Sequence, residues 1–151
     1  MEQKPIALAA DHGGYLLKEA AMKHFDELGI PYTDYGCNGP ASVNYPEYAE
    51  KVCTAIQSGK SDKGILFCGT GIGMSMVANK HRGIRAACCS DTFSARCTRQ
   101  HNDANVLCMG GRVVGEGLAL DMIDLFLNTS FEGGRHTQRL NMYPDAQDKN
   151  N

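Results

Sequence analysis

The sequence predicts an α/β fold, a five-stranded parallel sheet with helices on both faces, and two observations lead there. Short apolar runs alternate with stretches whose apolar residues recur at helical spacing, five times in strict order. Successive parallel strands need a crossover, and that alternation supplies a helix for each one. The length agrees, since 151 residues is ordinary for one domain. A chain of this size buries roughly 70% of the surface it exposes when unfolded.

Residues 5–10 read as the first strand, after which Leu17, Ala21, Phe25 and Leu28 repeat at helical spacing. Gly29 closes that helix, a common place for glycine. Residues 31–35 form a second strand, and 46–56 a second helix with Pro46 tolerated in its first turn. Residues 64–68, GILFC, are too short and apolar for an exposed helix and read as strand three. A third helix runs from 73 to 80, a fourth strand from 84 to 89, a fourth helix from 92 to 100 and a fifth strand from 106 to 109. Leu118, Ala119, Met122, Ile123, Phe126 and Leu127 line the buried face of a fifth helix. Together these make a single domain over 1–144, and the polar residues 145–151 are expected to fray.

Composition excludes several classes. Hydrophobic residues at 42% and charged residues at 21% are globular values, so wholesale disorder is ruled out. No apolar run approaches the ~20 residues of a membrane span, and MEQKPIALAAD is not a signal peptide. A net charge of −2 argues against a nucleic-acid binder. Seven cysteines without a Cys-x-x-Cys exclude a zinc ribbon or thioredoxin motif and fit free thiols in a reducing cytoplasm. All seven arginines lie between Arg82 and Arg139. Arginine pairs well with phosphate, although on composition alone a solvated surface that happens to use arginine is the favoured reading.

In a sheet of this kind the chemistry sits beyond the carboxyl ends of the strands, near the topological switch point. Asp11-His12-Gly13-Gly14 follows strand one. Asp11 reads either as a helix cap or as a site residue, and His12 is placed to meet an anion. Cys68-Gly69-Thr70-Gly71-Ile72-Gly73 follows strand three. It is neither a dinucleotide fingerprint, whose third glycine would fall on Met74, nor a Walker loop, which needs a Gly-Lys pair. What remains is a run of backbone amides opening a helix, a nest for a small anion or a transient oxyanion. Cys68 stands at its head, where a helix N-terminus favours thiolate; the plainer reading is a small buried hydrophobe. After helix four, His101 and Asn102 read either as a C-terminal cap, with Asn102 left-handed, or as part of a polar site. Near the end Arg135 and Arg139 would share a helix face, where like charges repel unless an anion joins them.

With Tyr45-Pro46, Ala78-Asn79-Lys80, Gly83-Ile84-Arg85-Ala86 and Gly133-Gly134-Arg135-His136 added in fixed order, the chain resembles ribose-5-phosphate isomerases of the B type. That family also contains galactose-6-phosphate isomerase subunits. The resemblance runs from about Ile6 to Arg139. It implies a three-layer αβα sandwich, Rossmann-like, and at least a homodimer, extending in some members to a tetramer, with the active site shared between subunits. It implies an aldose–ketose isomerase with no metal or other cofactor and a sugar phosphate as substrate. Ribose 5-phosphate is the first expectation, and a hexose 6-phosphate such as allose or galactose 6-phosphate the alternative. The family's base is cysteine at the position of Cys68 or glutamate at that of Met74; methionine cannot take a proton, so the carry-over selects Cys68. Thr70 would assist proton movement between oxygens, and His101, with Asp11 nearby, would open the sugar ring. His12, Arg112, Arg135, His136 and Arg139 would hold the phosphate, with Tyr45, Gly69, Gly71, Gly73 and Asn102 also lining the site. Asn44 departs from the aspartate common before Tyr45-Pro46, and the tail after Arg139 is short and contains Pro144. A non-catalytic phosphosugar sensor would keep the arginines and the glycine nest, but the presence of Cys68, Thr70 and His101 together disfavours it.

Overall fold

The computed structural model describes residues 2–145. Its elements run β1 (Ile6–Ala10), α1 (Tyr15–Leu28), β2 (Tyr32–Asp34), α2 (Tyr45–Gln57), β3 (Gly64–Cys68), α3 (Ile72–Ala78), β4 (Ala86–Cys88), α4 (Thr92–Asn102), β5 (Val106–Gly110), α5 (Glu116–Asn128) and α6 (Arg135–Leu140). The sheet is parallel throughout, in the order β2-β1-β3-β5-β4. Strands β1, β3 and β5 are wholly buried, whereas β2 and β4 at the edges are three residues each and half-exposed. Edge pairing explains why these two fall short of 31–35 and 84–89: a strand bonded on one side keeps only the residues its neighbour can reach. The expected fraying tail lies outside the described residues except for Asp145, whose carboxylate accepts the Gly83 amide at 3.2 Å. Among the described residues no helix is long and apolar enough to cross a membrane.

Strand order and handedness together fix the layers. The step from β1 to β2 moves one way across the sheet, those from β2 to β3 and β3 to β4 the other way, and that from β4 to β5 back again. Right-handed crossovers then place α1 and α4 on one face and α2 and α3 on the other. Side chains alternate accordingly. Leu8, Ile65, Phe67, Leu107 and Met109 meet Leu17 and Phe25 of α1, Ala95 of α4 and Met122, Ile123 and Phe126 of α5. Ala7, Ala9, Leu66, Cys68, Val106 and Cys108 meet Ala49, Val52 and Cys53 of α2 and Met74 and Ala78 of α3. Cys68 therefore points to the face where α3 begins.

The same topology gathers three loops. Those after β1 and β5 leave toward the α1 face and the one after β3 toward the α3 face, with β3 between the other two. The Gly111 amide donates to the Cys68 carbonyl at 2.8 Å, and the Arg112 amide to that of Gly69 at 3.0 Å. A β-carbon at Gly13 would sit 2.9 Å from the Gly69 nitrogen, and one at Gly111 would press into the Gly13 carbonyl oxygen. Only glycine allows the backbones to approach this closely.

Candidate active site

Cys68 ends β3, nearly buried, and its Sγ accepts the Gly71 amide at 3.0 Å. The neighbouring Ile72 amide donates to Thr70 Oγ1 at 3.2 Å. Two of the amides expected to form an anion nest are thus already committed, one to the sulfur itself. The loop thus turns one of its amides back onto the Cys68 sulfur. Of the other buried thiols, Cys37 donates to the Gly39 carbonyl at 3.4 Å, while burial pushes Cys53 and Cys89 up to about 11 and Cys108 well above its ordinary value. Cys88 is a thiol that sequence reasoning missed here; its Sγ lies 3.6 Å from the Thr70 carbonyl oxygen, across Gly110.

Around Cys68 stand other expected residues. A β-carbon on Gly73 would lie 2.7 Å from Tyr45 Cζ, so the absent side chain is what lets the Tyr45 ring rest on the first turn of α3. A β-carbon on Gly69 would lie 3.1 Å from an Arg112 guanidinium nitrogen, which puts that cation over the loop. His12 Nδ1 accepts the Val43 amide at 3.2 Å, so a neutral His12 carries its proton on Nε2. That bond ties His12 to the segment leading into Tyr45. Asp11 does not cap α1, whose N-cap is Gly14. Its Oδ1 accepts the Gly13 and Gly14 amides at 2.8 and 3.1 Å, shaping the turn one step earlier. Met74 is fully buried in the core.

The second group lies at the other end of the sheet. Helix α4 runs against the strands, so its last turn reaches their amino ends. There the Gly64 amide, which opens β3, donates to the Asn105 carbonyl at 2.9 Å. The length of β3, roughly 13 Å at 3.3 Å per residue, separates His101 and Asn102 from Cys68. Asp11 and His101, expected as neighbours, therefore stand apart within one chain. The left-handed position expected at Asn102 belongs to Asp103, with φ 45°. Arg99 explains the shift: its guanidinium holds the Asp103 carboxylate at 2.8 Å and the Ala104 carbonyl at 2.7 Å. The Asn102 carbonyl accepts Arg85 Nε at 3.1 Å.

His101 stacks on His136, with ring centroids 4.5 Å apart and planes 18° from parallel. His136 opens α6 with Arg135, and Arg139 follows one turn later. Burial holds His136 below the usual histidine value, and the nearby His101 and Arg135 add to that effect. The expected phosphate holders are thus divided, His12 and Arg112 beside Cys68, Arg135, His136 and Arg139 beside His101. A cavity of about 630 Å³ beside the start of β4 includes Asn102 in its wall but not Cys68.

Residues 6–143 match the family described as Ribose/Galactose Isomerase. Ribose-5-phosphate isomerase B of Escherichia coli is 45% identical over 148 residues, which cover 98% of this chain and 99% of that protein. D-erythrulose-4-phosphate isomerase of Pectobacterium atrosepticum is also 45% identical, over 131 residues, 85% of this chain and 86% of that protein. Among solved structures, ribose-5-phosphate isomerase B of Clostridium thermocellum superposes with a TM-score of 0.92 at 45% identity, covering 97% of this chain and 99% of that one.

Proposed function

The chain belongs to the ribose/galactose isomerase family, and on that premise we propose that it interconverts ribose 5-phosphate and ribulose 5-phosphate through a cis-enediolate. The observation that carries this reading is the Cys68 sulfur, held 3.0 Å from the Gly71 amide at the switch point of the sheet. Aldose–ketose isomerisation removes a proton from the carbon next to the carbonyl and returns one to the neighbouring carbon. In the proposed sequence the Cys68 thiolate takes the C2 proton of the open-chain aldose, leaving an enediolate. The Thr70 hydroxyl, one step along the same loop, passes a proton between O1 and O2. The Cys68 thiol then gives its proton to C1, forming the ketose and restoring thiolate. Loop amides not committed to Cys68 or Thr70 are the donors toward the developing oxyanion, an interaction worth on the order of 10²-fold per donor.

The separation of the two residue groups supports a homodimer in which His101 and Asn102 of one subunit meet Cys68 of the other. Leu16, Ile72, Met76, Phe93 and Val113 are exposed, and all lie in segments that follow carboxyl ends of strands. That is the end a second subunit would cover. In that assembly His101 opens the sugar ring by acid–base proton transfer, work suited to histidine at neutral pH. His12 and Arg112 from one side and Arg135 and Arg139 from the other hold the phosphate, whose binding orients the reacting carbons. His136, buried behind His101, fixes the orientation of that ring.

A second reading, a four-carbon sugar 4-phosphate as substrate, is favoured by the 45% identity to D-erythrulose-4-phosphate isomerase. Steady-state kinetics on tetrose 4-, pentose 5- and hexose 6-phosphates tests both. A kcat/KM highest for ribose 5-phosphate supports the proposal, and a maximum on the tetrose or a hexose phosphate replaces it.

A further inference from the structure

His101, Glu132 and His136 present two imidazoles and a carboxylate from three separate places in the fold: the last turn of α4, the segment after α5 and the first turn of α6. Their ligand atoms lie within 4.8 Å of one another. The His136 Nε2 to Glu132 Oε2 distance is 3.7 Å. The backbone holds the three residues side by side, and the His101 and His136 rings, stacked 18° from parallel, must turn about their side-chain torsions to aim one nitrogen each at a shared ion. The Glu132 amide donates to the Gln100 carbonyl at 3.1 Å, and Arg99 Nε donates to the Thr129 carbonyl at 3.2 Å, so the segment is fastened beside His101. Gly133 and Gly134, both with positive φ, then fold the chain back so that Glu132 and His136 face each other. Two histidines and a glutamate are a ligand set for divalent ions of borderline softness, with further coordination positions left for water.

We propose that His101, Glu132 and His136 form a binding site for one divalent cation of the zinc(II) class, and that its occupation inhibits the isomerase. The inhibitory half rests on the proposed function: a cation on His101 occupies the nitrogen that ring opening needs, whereas open-chain chemistry at Cys68 goes on. Arg135 and Arg139 add positive charge close by, so affinity falls below that of a closed four-ligand structural centre.

Cobalt(II) titrated into the full-length protein tests the site by absorption and calorimetry. One equivalent per chain is expected, with the weak bands of nitrogen and oxygen ligands and no thiolate charge-transfer band. Glu132→Gln and His136→Asn should each weaken binding about tenfold or more. Affinity unchanged in both variants, or a dominant thiolate band, would overturn the site by placing the ion on cysteine. Kinetics with zinc(II) test the inhibitory half: the ion should slow turnover of ribose 5-phosphate more than that of a tetrose phosphate, which cannot form the same ring. Glu132→Gln should relieve that slowing while metal-free turnover stays unchanged. Equal slowing of both substrates, or no relief, would overturn inhibition through His101. The cobalt titration decides the site whether or not the chain isomerises ribose 5-phosphate, so failure of the site and failure of the proposed function are read separately.

Discussion

What the sulfur touches separates Cys68 from the other buried cysteines. Its partner is the Gly71 amide, whereas Cys53 and Cys89 lie among packed helices and strands and stay protonated up to about 11. Cys68→Ala is accordingly expected to lower kcat by on the order of 10³-fold or more, with sugar-phosphate affinity, read by calorimetry, nearly unchanged. The raised thiols bear on stability with a definite sign. Below the ordinary thiol value of 9.0 both folded and unfolded chains keep these protons, and the contribution is complete. As pH rises from 9.0 through about 11, the unfolded thiols ionise first and stability is lost. The urea midpoint should therefore fall between about pH 8 and about pH 10.5, and less steeply in Cys53→Ala. At this scale the sequence was informative where a residue type speaks for itself. The Cys68–Gly73 loop was such a case only in part: its residues do bond one another, as Gly71 does Cys68, while residue type alone left Cys68 either a reactive thiol or a small buried hydrophobe. The sequence was silent on partners fixed by distant backbone, such as the Val43 amide on His12, or Asp34, which holds the fully buried Lys18 at 2.7 Å.

Elements show the same division. The five strands and five of the helices follow from periodicity, because an apolar stripe must be buried whatever it meets. Strand order does not, since periodicity records that a face is buried and not which neighbour buries it; the insertion of β5 between β3 and β4 is of this kind. The edge strands came out too long for the same reason, and the C-terminal cap of α4 moved by one residue because Arg99 reaches Asp103. The interlocked loops yield a paired prediction. In Gly111→Ala the new methyl meets backbone, the Gly13 carbonyl, which cannot yield without moving the whole turn. A loss of about 2–3 kcal/mol is expected by chemical denaturation. In Gly73→Ala the methyl meets the end of the Tyr45 ring, which can swing aside. Stability should hardly change, while KM for the sugar phosphate rises severalfold if Tyr45 lines the site. Equal losses of stability in the two variants would mean that Tyr45 is fixed as firmly as backbone.

Over the whole molecule, one chain carries the parts of the proposed site at opposite ends of its sheet, Cys68, Thr70 and Tyr45 at the carboxyl ends and His101, Asn102 and Arg139 toward the amino ends. Motifs read in order give the parts; which end of the sheet each one reaches comes from the direction of the strand or helix that carries it. A twofold dimer brings unlike ends together twice, making two equivalent sites. The central claim, that Cys68 of one subunit works with His101 of the other, is tested most directly by mixing two inactive proteins. Cys68→Ala and His101→Ala are each expected to be nearly inactive alone on cyclic ribose 5-phosphate. Unfolded together in equal amounts and refolded, they should form mixed dimers in about half of the population. In each mixed dimer both defects fall in one site and leave the other intact, so activity should return to about a quarter of wild type. If mass measurement confirms the mixed dimers and activity still does not return, Cys68 and His101 act within one chain, and the account of the shared site is contradicted.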